Sequence, residues 1–258
     1  MAIKKTKKLS AQTATTTVAT GEKFAKVDAN GKVTLIDLAS LKTALLGGID
    51  TRAILDNVFI MYHRKRDNYP VLSAPNAWKA LQDAGEVADG VAVMDGGHLL
   101  VVAPTCSPGT LPWSSANIIG GGFSSTDRIG VISDFNGQNN TSSIISKSTS
   151  SAVTNTTAYA PGFCNAYSRV NANGEGLTAG KWWMPSVGEM LLIFANLCKI
   201  NYCLSLISGA VLIADLWHWT SSEYNSSNGW YVTIGEGVIS TNQKSALGKV
   251  RPVSAFTR

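Results

Sequence analysis

The sequence predicts an α+β fold, and three observations carry that prediction. After Trp219 the residues alternate as short strands, with Trp230, Val232 and Ile234 set against Tyr231 and Thr233. Ahead of them, one helix is marked by a full start signal: Ser186 and Glu189 occupy the N-cap and N3 positions of a capping box, with Pro185 just outside. Between residues 114 and 160 the chain is rich in Ser, Thr, Asn and Gly. Ile118, Phe123, Ile129, Ile132, Phe135 and Ile144 interrupt that bias as anchors, so the segment reads as long ordered loops with a short helix near Asn140–Ser146.

The 258 residues are 45% hydrophobic and 15% charged, with seven Trp, which excludes a mostly disordered chain. The net charge of +5 is uneven, because residues 1–50 hold eight Lys against four acids while the rest carries 14 Lys and Arg against 13 acids. The body is close to neutral, so no nucleic-acid partner is expected: phosphate contacts need a basic surface.

Residues 1–20 read as a flexible basic arm with almost nothing large and apolar, which would order only against a partner. Met1–Lys8 is followed by the polar run Leu9–Thr16, so no secretory h-region is read. The apolar stretches Met190–Cys198 and Cys203–Trp217 are too short or too interrupted for a bilayer, which needs roughly 20 apolar residues. No membrane insertion is expected, and the chain reads as soluble and made in a cytoplasm.

Residues 21–50 read as an attachment and oligomerisation segment. Phe24, Val27, Val33 and Leu35 flank the turn Asp28-Ala29-Asn30-Gly31 as a hairpin. Leu38, Leu41, Ala44 and Leu45 then recur at helical spacing up to Gly47-Gly48. A unit this short has no stable core of its own, so it should dock on its own copies or on another protein.

Residues 51–258 contain no convincing linker and read as one domain. Pro75, Trp78 and Leu81, closed by Gly85, form a short helix. Val87–Val93 and His98–Ala103 straddle Asp95-Gly96-Gly97 as an apolar hairpin. The capped helix places Met190, Leu191, Phe194, Leu197 and Cys198 on its apolar face. Beyond Trp230–Ile234, the turn Gly235-Glu236-Gly237 leads to strands over Val238–Lys244 and Lys249–Phe256. Cys106, Cys164, Cys198 and Cys203 read as buried free thiols without zinc-site spacing.

Two blocks of residues carry a resemblance. One is Gly180-Lys181-Trp182-Trp183-Met184-Pro185-Ser186 with Gly188-Glu189. The other is Trp219-Thr220-Ser221-Ser222-Glu223-Tyr224, then Gly229-Trp230-Tyr231-Val232, Gly237, Lys244 and Val250-Arg251-Pro252-Val253. Weaker matches are Gly90–Ala103, Asp134-Phe135-Asn136-Gly137 with Asn140-Thr141, and Cys164-Asn165-Ala166-Tyr167. Over about residues 85–258 the chain resembles the bacterial and phage branch of the C-type-lectin-like fold. That branch includes formylglycine-generating-enzyme-like domains and the variable proteins of diversity-generating retroelements. The resemblance implies twisted antiparallel sheets with about two main helices and long ordered loops. Residues Gly21–Gly48 resemble, loosely, the N-terminal attachment segments of phage fibre proteins.

The chemistry-bearing residues point to binding. Trp219 and Trp230 read as core, Trp217 as undecided. Glu223 and Arg251 read as an ion pair tying the terminal strand to a loop. Calcium would want six to eight oxygen ligands, and the 219–245 region offers only Glu223 and Glu236. His63, His98 and His218 are isolated from each other, so neither a metal nor any other cofactor is expected. No catalytic set emerges. An oxidase of the formylglycine type would need a copper-binding cysteine pair, for which Cys198 and Cys203 are the candidates. The alternation places Tyr231, Thr233, Ser240, Asn242 and Gln243 outward, flanked by the loop Asn225-Ser226-Ser227-Asn228. Those nine residues form the candidate ligand-binding face, of a composition that suits adaptable contacts. With the resemblance, this implies a phage virion fibre or spike component, head or tail, located on the virion and made in the host cytoplasm. Its expected partners are other virion proteins through residues 1–50, further copies of itself as a trimer or dimer, and a bacterial surface glycan or protein. A purely structural decoration protein is the nearest alternative.

Overall fold

The computed structural model describes residues 23–27, 31, 33–37, 57–148 and 153–256. The chain divides into two units, residues 1–54 and 55–258. In the first, β1 (Lys23–Val27) pairs antiparallel with β2 (Val33–Asp37), Val27 opposite Val33, which is the expected hairpin. The arm over 1–20 and the helix expected over Leu38–Leu45 lie outside the described residues.

The second unit is α+β, with antiparallel sheets and six helices among its described residues. Its larger sheet has the order β12-β6-β5-β3-β4, built from β3 (Val58–His63), β4 (Pro70–Ser73), β5 (Ala88–Asp95), β6 (His98–Val102) and β12 (Val253–Ser254). Two glycines make the β5–β6 turn, since Gly96 and Gly97 both adopt positive φ (55° and 82°), the backbone a tight two-residue hairpin demands. The β-strand period then buries both faces. Val58, Ile60, Val91, Val93 and Val102 face one core, while Met61, Ala92 and Val101 face another with Leu177 and Trp182.

Helix α1 (Pro75–Asp83) begins at Pro75 as expected and buries Trp78. Helices α2 (Arg128–Ile132), α3 (Gly137–Ser146) and α4 (Ala160–Ala166) punctuate the long loops. Of these, α2 is not expected from hydrophobic pattern. Asp127 caps it by accepting from the Ile129 and Gly130 amides. Ile129 and Ile132, expected as anchors, face solvent, and Val131 is the buried residue. Two short strands, β7 (Arg169–Val170) and β8 (Gly176–Leu177), follow.

The capping box is present: the Glu189 amide donates to Ser186 Oγ, and the Ser186 amide donates to Glu189 Oε2 at 2.8 Å. It opens α5 (Val187–Ala195), which stops at Asn196 and bends by 77° into α6 (Leu197–Leu206). The predicted apolar face is therefore corrected. Met190, Leu192 and Ile193 are buried, whereas Phe194 and Cys198 are exposed. Every position from Met190 to Ala195 is apolar, so periodicity cannot select the inward side, and the bend at Asn196 resets the phase. The thiol expectation is likewise corrected: Cys164 and Cys203 are buried, Cys106 is half-buried and Cys198 exposed. The bend lets α5 pack on the second sheet and α6 on β3 and β5, joining both sheets through one core. No single helix among the described residues is long and apolar enough to cross a membrane.

That second sheet has the order β11-β10-β9, built from β9 (Trp217–Glu223), β10 (Asn228–Thr233) and β11 (Val238–Gln243). The chain then returns, Trp183 bridges Val253, and β12 joins the larger sheet beside β6. The last strand is shorter than the expected Lys249–Phe256, because Gly248 and Lys249 make only isolated bridges, to Leu111 and His218.

Candidate functional site

The three-stranded sheet has two unlike faces. Trp230, Val232 and Ile234 are buried against the main core beneath α5. On the other side Trp219 is buried in a second cluster with Trp113, Met184 and Val250. Register fixes which residues share that outer side: Tyr231 lies opposite Ser240, Thr233 opposite Val238, and Gly229 opposite Asn242. Across the other edge of β10, Tyr231 pairs with Trp219 and Thr233 with Trp217.

The structure thus brings Tyr231, Thr233 and Ser240 of the candidate set into one strip beside Trp217, with Asn242 on the same side but at the far end, opposite Gly229. It separates others. Asn228 and Gln243 are paired one residue out of phase with Tyr231, on the Trp230 side of the sheet, so the expectation that Gln243 shares the Tyr231 face is corrected by the period of two. Asn225, Ser226 and Ser227 form the turn at one end. There the Asn225 Oδ1 accepts from the Ser227 and Asn228 amides, both at 2.8 Å, so this side chain closes the loop on itself.

At that same end the outer face is covered. The loop over 111–123 crosses it, donating Trp113 N–H to the Lys244 carbonyl and the Trp113 indole to the Thr220 carbonyl. Beneath the loop lies a fully buried ion pair, Lys244 with Glu223. Glu223 also accepts from the Gly120 amide, and Lys244 Nζ donates to the Ile118 carbonyl and sits 4.2 Å from the centre of the Trp113 ring. Burial draws the Lys244 pKa down, against the Glu223 carboxylate, which pushes it up. The expected Glu223–Arg251 pair is corrected: Arg251 instead donates to the carbonyls of Ala103 and Val211, each at 2.8 Å. Both charges do tie the chain's end to loops, but through different partners.

At the other end the face is open. Trp217 and Tyr231 are half-buried, their rings 4.9 Å apart, with Trp219 edge-on to Trp217 at 4.9 Å. Trp217 lies across Gly248, where a Cβ would come within 2.4 Å of its ring. Trp78, Trp113, Trp182, Trp183, Trp219 and Trp230 each donate the indole N–H to a protein acceptor. Trp217 does not: neither its N–H nor the Tyr231 hydroxyl has a hydrogen-bond partner among the described residues. Leu247 and Val238 flank the pair, 59% and 44% exposed. No sequence signal distinguishes Trp217 from Trp219, two residues along the same strand face.

The remaining signature residues form a buried polar hub. Asp134 accepts from Asn140 Nδ2 and Ser222 Oγ, and Ser186 Oγ donates to the Asp134 carbonyl. Thr141 exchanges hydrogen bonds with the backbone of Met184. These contacts join α3, α5 and β9. Glu189, desolvated in this hub, has its pKa pushed up to about 7. Cys198 and Cys203, the candidate copper pair, lie on α6 with one sulfur exposed and the other buried, five residues and so well over a quarter-turn apart.

No protein-family model matches the chain, and no curated protein matches it. Among solved structures, a fimbrial protein from Bacteroides ovatus is similar at a TM-score of 0.40 and 16% identity, over 62% of this chain and 36% of its own. The chain thus spans about a third of that protein's length, and a likeness of this degree assigns neither fold nor function.

Proposed function

We propose that this chain is a phage virion fibre or spike component that displays a C-type-lectin-like domain for binding the bacterial host surface. The observation that carries the binding reading is Trp217. Among the described residues it is the tryptophan whose indole N–H has no partner, held half-buried against Tyr231, whose hydroxyl likewise has none there, on the same side as Thr233 and Ser240. An aromatic surface with unspent donors gives a ligand both contact area and hydrogen bonds at low entropic cost. The lectin-like reading is supported by the antiparallel sheets, by Trp219 and Trp230 buried at signature positions, and by the signature polar residues meeting in one hub.

In this reading residues 1–50 attach the chain to other virion proteins and to its own copies, as a dimer or trimer. Several weak faces per fibre then raise avidity. The ligand is a bacterial surface glycan or protein, and the nearly neutral body takes no nucleic acid.

The test is binding of the fluorescently labelled whole chain to bacterial cells, beside Trp217→Ala and the double variant Tyr231→Ala/Asn242→Ala. Saturable binding that falls tenfold or more in both variants is the expected result. Binding that both variants retain would remove the face from the proposal. No binding to cells of any candidate host would leave the decoration reading, in which residues 1–50 are the working half.

A further inference from the structure

A second surface does not rest on that reading. The tight Gly96–Gly97 turn delivers His98 onto Phe135, and the two rings stack with centroids 3.8 Å apart and planes 8° from parallel. Phe135 is held from behind, because its neighbour Asp134 is anchored in the buried hub. On one side of the stack is a cavity of about 610 Å3, walled by Asp95, Ile132, Ser133 and Leu191. On the other is one of about 240 Å3 that reaches Trp183 and Glu189. A third, of about 290 Å3, follows beyond Gln138 and Asn139 as far as Asn165 and Gly180. The first two share His98, Phe135 and Asn136, and the last two share Gln138, Asn139 and Trp183, so they form one groove along the first half of α3.

The groove's polar groups are unspent. The side chains of His98, Asn136, Gln138 and Asn139 are exposed and have no hydrogen-bond partner among the described residues. Each amide offers donors and an acceptor together. That matches a hydroxyl, which also does both, better than it matches a phosphate or carboxylate. No Lys or Arg lines any of the three cavities, while Asp95 and Glu189 do, so an anionic ligand would meet like charge without compensation. A peptide held by its main chain would want an unpaired strand edge. This wall is the first turn of a helix and presents no strand edge. What remains is a flat ring with hydroxyls at its rim, its face on the His98–Phe135 stack.

We propose that this groove binds an uncharged oligosaccharide laid along α3, separately from the Trp217 face. The amides of Asn136, Gln138 and Asn139 take the hydroxyls, and the aromatic stack marks the central subsite.

The test is calorimetric titration of the whole chain with maltohexaose, cellohexaose and chitohexaose as neutral probes and hexagalacturonate as the anionic one. Gln138 and Asn139 are exposed positions on a helix where alanine is the better helix former, so Gln138→Ala/Asn139→Ala keeps the fold. The expected result is binding of at least one neutral probe, at least tenfold tighter than the hexagalacturonate. That binding should fall tenfold or more in the double variant and stay unchanged in Trp217→Phe. The proposal is overturned by no neutral binding at millimolar probe, by preference for the anion, or by binding that the double variant retains. Loss in Trp217→Phe alone would assign the sugar to the hairpin face, which leaves the host-binding reading standing and removes the groove.

Discussion

The two ends of the outer face of the β9–β11 sheet are built from the same kinds of residue and end in opposite states. At the end bearing Glu223 and Lys244, the loop over 111–123 closes the face. The buried Glu223 and Lys244 there find partners, and Trp219 gives its indole N–H to the Leu111 carbonyl. At the end bearing Trp217 the loop is absent, and donors that could have been paired are left to solvent. An aromatic-rich strand therefore does not by itself mean core or ligand platform. The difference is made by a segment more than a hundred residues away, through whether it supplies acceptors.

The most severe way to break that contrast is to uncover the closed end. Lys244→Met leaves the buried Glu223 carboxylate without its cation, and removing one partner of a buried pair costs about 3–5 kcal/mol. A urea titration of the whole chain should show the midpoint fall accordingly. The double variant Glu223→Gln/Lys244→Met should recover most of the loss, since it buries no net charge. A single variant within about 1 kcal/mol of the parent would mean that something other than this pair holds the loop down.

The sequence made parts of this legible and hid others for physical reasons. The capping box at Ser186 and Glu189 is a local signal, and so is the Gly96–Gly97 turn; each needs only neighbours a few residues away, and both are where they were expected. Lys244 as the partner of Glu223 depends on the β10–β11 hairpin bringing two positions 21 residues apart together, so charge identity alone favoured Arg251 equally well. The α5–α6 bend was in principle readable, because Asn196 interrupts two apolar runs, but a run apolar at every position gives no face. Gln243 was placed on the wrong side by counting a strand without its register. The open Trp217 was not readable at all, because its state is decided by where a distant loop stops.

A second contrast, between two buried groups on the inner side of the sheet, is one of pH. Glu189 lies on α5 beneath the sheet with its pKa pushed up to about 7, mainly by burial. His218 sits on β9, its ring bonded to the Leu216 carbonyl, with its pKa pushed down to about 4, again mainly by burial. The raised carboxyl holds its proton more tightly when folded, so its contribution is full below about pH 4.5 and is lost as pH rises to about 7. The buried neutral imidazole works the other way: its contribution is full above about pH 6.5 and is lost as pH falls to about 4. Each is worth on the order of 3 kcal/mol over its window, so the two oppose each other through the weakly acid range. Glu189→Gln keeps a capping side chain while removing one of the pair. Its stability relative to the parent should climb with pH, by on the order of 3 kcal/mol between pH 4.5 and 7. A difference that stays constant across that range would mean that Glu189 is an ordinary carboxylate.

The finest test compares Trp217 with Trp219 directly, replacing each with Phe so that an aromatic ring remains. In Trp219→Phe the Leu111 carbonyl loses its donor in a dry site and the smaller ring leaves a void. Together these cost about 2 kcal/mol. In Trp217→Phe no hydrogen bond among the described residues is lost, and the stacking surface on Tyr231 is largely kept, so stability should stay within about 0.5 kcal/mol. Thermal unfolding separates the two, since in a domain of this size 1 kcal/mol moves the midpoint by about 2–4 °C. Binding to cells should reverse the order: Trp219→Phe, once folded, retains the open end, whereas Trp217→Phe loses the one indole donor that faces outward. If the two variants lost stability equally, Trp217 would be a core residue at the rim, and the open end would owe nothing to it.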